Sequence, residues 1–466
     1  MPAETAFRSA RDLIAEVKSG HAAPSDIAQA TLAHIDALEP KLNAFAHINA
    51  DDVMAQARAL DARIAKKEDV GPLAGLPVAI KELIAMRGLP TEFGSKVMAG
   101  NVFDFDAPSV GRIRDAGAVM LGKTTTSEFG CKGVGDNVAT GITRNPWNLD
   151  TTPGGSSAGA AAIVAAGISP FAVGTDGGGS VRIPGSLAGL FAIKAHFGRV
   201  PIYPVSATHT LAHVGPMSRG VRDAALALGV MAGFDARDHT SALGPVPDFS
   251  AACERAPKGL RVIYSRTLGY ARPDAGVVDV VDAAVTRLEQ AGCHVEVADH
   301  LFDDPVEIWA SEFYAGVATR LKDALGNRRG DLDPAVADLL DKARVQDLGG
   351  YYAKVFERYK FRDQVRDIFD TYDIIASPTL PVSAFGVGLN VPPGHEDRTT
   401  IDWVYYTYPF NLTGNPAVSI NAGFDQKGLP VGLQLVGRPL AEESLFSVSA
   451  ALEALSPDKD RRPDLS

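Results

Sequence analysis

Apolar positions change their period several times along the chain, and each change predicts a new element. Ile27, Thr31, Ile35 and Leu38 recur at helical spacing, with Ser25 as the expected N-cap after Pro24. Residues 76–80 (Leu-Pro-Val-Ala-Ile) are short and apolar, which predicts a strand delivering Lys81 at its C-terminal end. A helix over about 109–116, ended by Gly117, and a strand over 118–121 follow. Further on, strands are expected at 260–264 and 294–297 around a helix at 277–291, and several helices come next. The more charged, helical stretch from 258 to 369 reads as an insertion or a substrate-facing lobe. Strands return at 373–376, 417–420 and 432–436, and a helix from about 442 to 455 closes the chain. This alternation predicts an α/β layer structure with helices covering a largely buried sheet. No internal repeat and no proline-rich boundary divides it, so one domain is expected.

Composition supports that picture. The 466 residues are 46% hydrophobic and 22% charged, enough apolar material for a sizeable core. Lysine and arginine number 45 against 56 acids, a net charge of −11 with no compensating basic stretch. That balance argues against direct binding of nucleic acid. Cys131, Cys253 and Cys293 are odd in number and far apart, which predicts neither disulfides nor a zinc site and fits a reducing compartment. The N-terminal stretch mixes acids and arginines without an apolar core, unlike a signal peptide. The run 158–168 is too short and too rich in alanine and glycine to span a membrane. A cytoplasmic enzyme is the expectation, with no membrane partner, no metal and no cofactor.

Candidate chemistry concentrates between 151 and 190, where glycine and serine are densest. This is no flexible linker, since apolar runs at 160–166 and 171–173 are embedded in it. Gly177, Gly178 and Gly179 precede Ser180. Consecutive glycines permit a nest in which several N–H groups face one point, fit to hold an oxyanion while the serine attacks a carbonyl. A glycine turn with Ser180 capping the next helix explains the same residues equally well. A phosphate cradle does not, because no Gly-Lys-Ser/Thr follows. A nucleophilic serine needs a base. His209 and His213 lie nearest downstream, but Lys81, at the end of an apolar strand, is the better candidate. Burial there would disfavour its ammonium and free a neutral amine. A lysine snorkelling to the surface is the plainer alternative, and spacing alone does not decide between them.

Taken together, three segments resemble the amidase signature family. The family's Gly-Gly-Ser-Ser-Gly-Gly motif matches Gly154 to Gly159, with Ala158 in place of a glycine. Its Asp-x-Gly-Gly-Ser-x-Arg motif matches Asp176 to Arg182, and Ser156 and Ser180 stand 24 residues apart, as in the family. Its lysine motif matches Gly75 to Lys81, with Glu82 where aspartate is usual. Shorter matches at 215–217, 377–379 and 432–437 extend the resemblance over roughly 10–455, weakest between 240 and 370. It implies a single large domain spanning 1–466, with a central mixed β-sheet covered by helices on both faces. The signature core would lie at about 70–220 and a more variable helical region at about 240–370. It further implies a Ser–Ser–Lys relay. Ser180 would be the nucleophile, Ser156, in a cis peptide linkage, the proton shuttle, and Lys81 the base. The N–H groups of Gly177, Gly178, Gly179 and Ser180 would form the oxyanion hole, with Ser157, Asp176 and Arg182 as supports. Gly177 stands where many relatives carry threonine, which is expected to loosen the oxyanion loop.

Rival readings of the same residues exist. Residues 155–159 fit a Gly-x-Ser-x-Gly hydrolase motif, but the segment before Ser157 carries two prolines and no strand pattern, and the last histidine, His395, sits in a Pro-Pro-Gly-His loop. A catalytically dead binding protein would need a broken relay, and Lys81, Ser156 and Ser180 are all present. The glutaminase subunit of a tRNA-dependent amidotransferase would share every reacting residue. The implied substrate is a small-molecule amide. For its pocket the candidates are Phe129, Cys131, Trp403 and Tyr406, against the plainer reading that the aromatic stretch 403–410 is core. The sequence leaves the oligomeric state open, a homodimer included.

Overall fold

The computed structural model describes residues 6–465; the first five residues of the N-terminal stretch and Ser466 lie outside them. Among the described residues, one sheet of eleven strands organises the chain. In chain order the strands are β1 (Phe45–Ile48), β2 (Pro77–Lys81), β3 (Val119–Thr124), a separate hairpin of β4 (Asp136–Asn137) and β5 (Gly141–Ile142), β6 (Phe171–Asp176), β7 (Phe191–Lys194) and β8 (His213–Ser218). The second half supplies β9 (Arg261–Tyr264), β10 (His294–Val297), β11 (Ile374–Pro378), β12 (Ala417–Phe424) and β13 (Pro430–Gly437). Their spatial order is β1-β3-β2-β6-β8-β7-β12-β13-β11-β9-β10. The sheet is mixed. The trios β3-β2-β6 and β11-β9-β10 are parallel, while the strands between β6 and β11 run antiparallel.

Burial on both faces explains why the strands read as apolar runs without clean alternation. Val78 and Ile80 join the core on one face of β2, together with the helix Val221–Met231. Ala79 joins the opposite core, where the helix Ala158–Ala165 packs. That helix is buried all round, and its alanines let it lie close to the sheet. A third core fills the space among the helices Val306–Arg320, Pro334–Ala343 and Leu348–Thr371 and the segment 401–412. The stretch 258–369 is thus not one insertion. Its strands β9 and β10 extend the sheet, and only its later helices form a lobe.

One local expectation is corrected, and one strand is added to those expected. Pro24 occupies the first turn of the helix Pro24–Leu42, so the N-cap is Ala23 and not Ser25. Strand β1 has no forerunner in the sequence pattern. It pairs with β3 beside Gly122, where a Cβ would lie 2.3 Å from the His47 carbonyl oxygen.

Candidate active site

Parallel pairing of β2 with β6 brings the carboxyl ends of both strands to one edge of the sheet, where α/β folds place their ligands. Lys81 is the last residue of β2, and Thr175 and Asp176 end β6. The Lys81 side chain is fully buried, and its Nζ donates to Ser156 Oγ at 2.7 Å and to Thr175 Oγ1 at 2.8 Å. The snorkelling alternative is thereby removed. Burial drives the Lys81 pKa well below that of a free lysine, and the more weakly acting charges of Asp176 and Glu82 do not reverse it. Ser156 follows a cis peptide bond after Gly155. The next hydroxyl, Ser157 Oγ, donates to the Thr175 carbonyl at 3.2 Å and ties this turn to β6.

Ser180 is buried, at 3% exposure, and ends the glycine loop that leaves β6. It does not cap the following helix, whose N-cap is Val181 and has no side-chain cap bond. The Ser180 hydroxyl makes no hydrogen bond among the described residues, so of the two contacts expected of Ser156 only the one to Lys81 is formed here.

The backbone of the loop is held from behind. A peptide's C=O and the next residue's N–H share one plane and point in opposite directions, so gripping the carbonyl aims the amide. Asn411 Nδ2 donates to the Asp176 carbonyl at 3.0 Å, Trp309 Nε1 to the Gly177 carbonyl at 2.8 Å, and Thr407 Oγ1 to the Gly178 carbonyl at 2.6 Å. The Ile183 N–H donates to the Gly179 carbonyl at 2.7 Å. Among the described residues the N–H groups of Gly177, Gly178 and Ser180 have no partner. The Gly179 N–H donates to Asp176 Oδ1 at 2.8 Å. Of the four amides expected to face an oxyanion, that of Gly179 is thus engaged by Asp176.

Asp176 and Arg182 support this loop. Burial alone would raise the Asp176 carboxyl, but the guanidinium of Arg182, Lys194 and Asn411 hold it well below the usual range. All five N–H groups of the fully buried Arg182 are used: two on Asp176, one each on the Thr407 carbonyl, Gln434 and Asn411. Neither histidine near the loop serves Ser180. His209 is exposed, and His213 is buried with its ring nitrogens on the Leu211 and Asp176 carbonyls and Lys194. His395 lies against the Tyr405 hydroxyl, and Ser157 is preceded by an irregular loop, so the Gly-x-Ser-x-Gly reading fails in structure as well.

Glu82 reaches away from Lys81. Its carboxylate accepts from the backbone N–H groups of Glu92, Phe93 at 2.9 Å and Gly94 at 2.6 Å. Burial pushes it up to about 7, against the pull of those amides and of Lys123. The longer acid thus anchors the turn that carries Phe93. Phe129, half-buried, stacks on Phe93 with ring centroids 6.1 Å apart, and a Cβ at the adjoining Gly130 would lie 3.2 Å from Ser156 Oγ. Cys131 is fully buried behind this turn, and burial raises its thiol pKa. Trp403 and Tyr406 are fully buried in the lobe core, their polar tips spent on the Thr400 and Arg266 carbonyls. For these two, core packing is what the structure shows. Among the described residues no group of three or more His, Cys, Asp or Glu side chains is placed to hold a metal, and no helix is long and apolar enough to cross a membrane.

A family model described as Amidase matches residues 26–446. The chain belongs to the amidase family. It is 36% identical to an acylamidase of Rhodococcus erythropolis, over 98% of this chain and 97% of that one. It is 37% identical to a glutamyl-tRNA(Gln) amidotransferase subunit of Acidothermus cellulolyticus, over 96% of this chain and 94% of that one. Among solved structures, a bacterial aryl acylamidase of the amidase signature family superimposes with a TM-score of 0.92 at 30% identity, covering 97% of both chains. As a member of this family the protein is an amidase, a hydrolase of carbon–nitrogen bonds. Trp309 and Asn411 have no signal in the sequence, while Thr407 and Gln434 fall in the aromatic stretch 403–410 and the matched segment 432–437 without any role being assigned to them. The four lie 129 to 254 residues from Ser180, and no local spacing links them to it.

Proposed function

We propose that this amidase cleaves linear carboxylic amides through an acyl-enzyme on Ser180, with Ser156 and Lys81 relaying the proton. The observation that carries the proposal is the desolvated Lys81 amine 2.7 Å from Ser156 Oγ, next to a loop of unpartnered amides that ends in Ser180. Ser180 Oγ bonds to the carbonyl carbon and loses its proton to Ser156, which passes its own to the neutral amine of Lys81. The carbonyl oxygen takes the negative charge and is met by the amides of Gly177, Gly178 and Ser180. The C–N bond then breaks as the nitrogen recovers a proton through Ser156 and leaves as ammonia or an amine. Water attacks the ester by the same relay, releasing the carboxylic acid and restoring Ser180.

The stacked rings of Phe93 and Phe129 beside the Ser156 turn favour an apolar acyl or aryl group on the substrate, and one of the similar solved structures is an aryl acylamidase. A second reading is favoured by the several relatives that are glutamyl-tRNA(Gln) amidotransferase subunits. In it the same chemistry would release ammonia to a partner protein. The test is turnover by the purified chain alone of aliphatic, aryl and peptide-like amides, with Ser180→Ala as control. Activity that the control abolishes supports the standalone amidase. Activity only when a second protein is added supports the amidotransferase reading, and turnover that survives Ser180→Ala overturns the mechanism.

A further inference from the structure

We infer that Trp309 is a positioning residue of the oxyanion site: its indole N–H, by gripping the Gly177 carbonyl, aims the Gly178 N–H at the reacting carbonyl oxygen. This rests on the reading of Ser180 as nucleophile. Trp309 comes from the helix Val306–Arg320, in the stretch where the family resemblance is weakest, so no motif assigns it a role.

The geometry is specific on both sides of the bond. Trp309 is fully buried, and its Nε1 donates to the Gly177 oxygen at 2.8 Å. Its ring is fixed between Phe313, stacked at 4.7 Å, and Tyr408, stacked at 5.7 Å, so the donor has little freedom to turn away. The loop is shaped to receive it: a Cβ on Gly178 would lie 2.6 Å from Trp309 Cζ2. At Gly177 the missing side chain's place is taken by Phe313, whose Cε2 lies 2.9 Å from where a Cβ would stand. The ring of Phe313 thus fills the space a threonine side chain would need at 177, and the same helix supplies a hydrogen bond to the loop.

Trp309 and Thr407 make the same kind of grip with different consequences. The plane that Thr407 holds carries the Gly179 N–H, which is committed to Asp176. The plane that Trp309 holds carries the unpartnered Gly178 N–H. Oxyanion donors act by being aimed before the charge develops, so losing the grip should weaken transition-state binding more than substrate binding.

The test compares wild type with Trp309→Phe, which keeps an aromatic ring and removes the N–H. One readout is kcat and KM on a chromogenic anilide or whichever amide is turned over. The other is the Ki of a trifluoromethyl ketone, whose carbon bonds to the serine oxygen while its own oxygen becomes the anion. The expected result is about a 10-fold fall in kcat with KM little changed, and about a 10-fold rise in Ki. A merely structural role lowers the amount of active enzyme and leaves Ki as it was, so an unchanged Ki overturns the inference. If Trp309→Phe does not fold, benzothienylalanine at position 309 keeps the shape of the indole with sulfur in place of N–H and answers the same question. Ser180→Ala run alongside separates the two claims: turnover surviving there defeats the nucleophile reading, whatever Trp309 does.

Discussion

Lys81 and Ser156 are held by their immediate surroundings, the end of one strand, the next strand's Thr175 and a turn anchored to the same strand through Ser157. The Gly177–Ser180 loop is held by side chains that arrive from 309, 407 and 411, and by Asp176, whose partner Arg182 is in turn bound to Asn411 and Gln434. On the proposed mechanism the first half needs a dry, local cage, because its task there is to keep an amine neutral. The second needs amides aimed at a point, and short glycine-rich backbone does not aim itself. Rigidity there has to be imported from elsewhere in the fold.

That contrast yields graded expectations. Ser180→Ala should abolish measurable turnover, a loss of about 10,000-fold or more, while circular dichroism and melting stay near wild type. Lys81→Arg should cost about 1,000-fold, because a guanidinium stays charged and takes no proton. The pH profile sharpens this. The neutral amine is the active form and burial lowers its pKa, so kcat/KM should rise with pH along a limb centred well below 10.5, lysine's ordinary value. A limb centred at that ordinary value would place the base elsewhere.

The distant half should break through stability as well as rate. Arg182→Met leaves Asp176 buried without its cation and strands the groups that Arg182 joined, a cost of about 3–5 kcal/mol in denaturant unfolding. Little change would mean that water reaches Asp176. Smallest of all, Thr407→Val should cost about 1 kcal/mol in stability and lower kcat less than Trp309→Phe does, since the amide it aims is already bound to Asp176.

How much of this is legible in the sequence follows the same division. Strand β2 can be read to within a residue, as can the closing helix Glu442–Leu455, because each carries its signal in its own apolar pattern. Lys81, Ser156 and Ser180 come from motifs, and the spacing of those motifs reflects two parallel strands ending side by side. Strand β1 is four residues long with weak alternation, and it exists because β3 offers an edge, which no local pattern records. The aromatic stretch near 403 resembles a pocket because aromatic side chains line pockets and fill cores alike. Only its burial separates the two. Trp309 cannot be found from sequence at all, since its meaning lies in a carbonyl 132 residues away.

The central claim is that Ser180, and not Ser156, takes the acyl group. It is tested most directly by labelling the protein with a fluorophosphonate or a slowly released acyl donor and locating the adduct by peptide mass spectrometry. The account predicts one adduct, on Ser180, formed much more slowly when Lys81 is replaced by alanine. An adduct on Ser156 or Ser157, or labelling of Ser180 at an undiminished rate without Lys81, would contradict it.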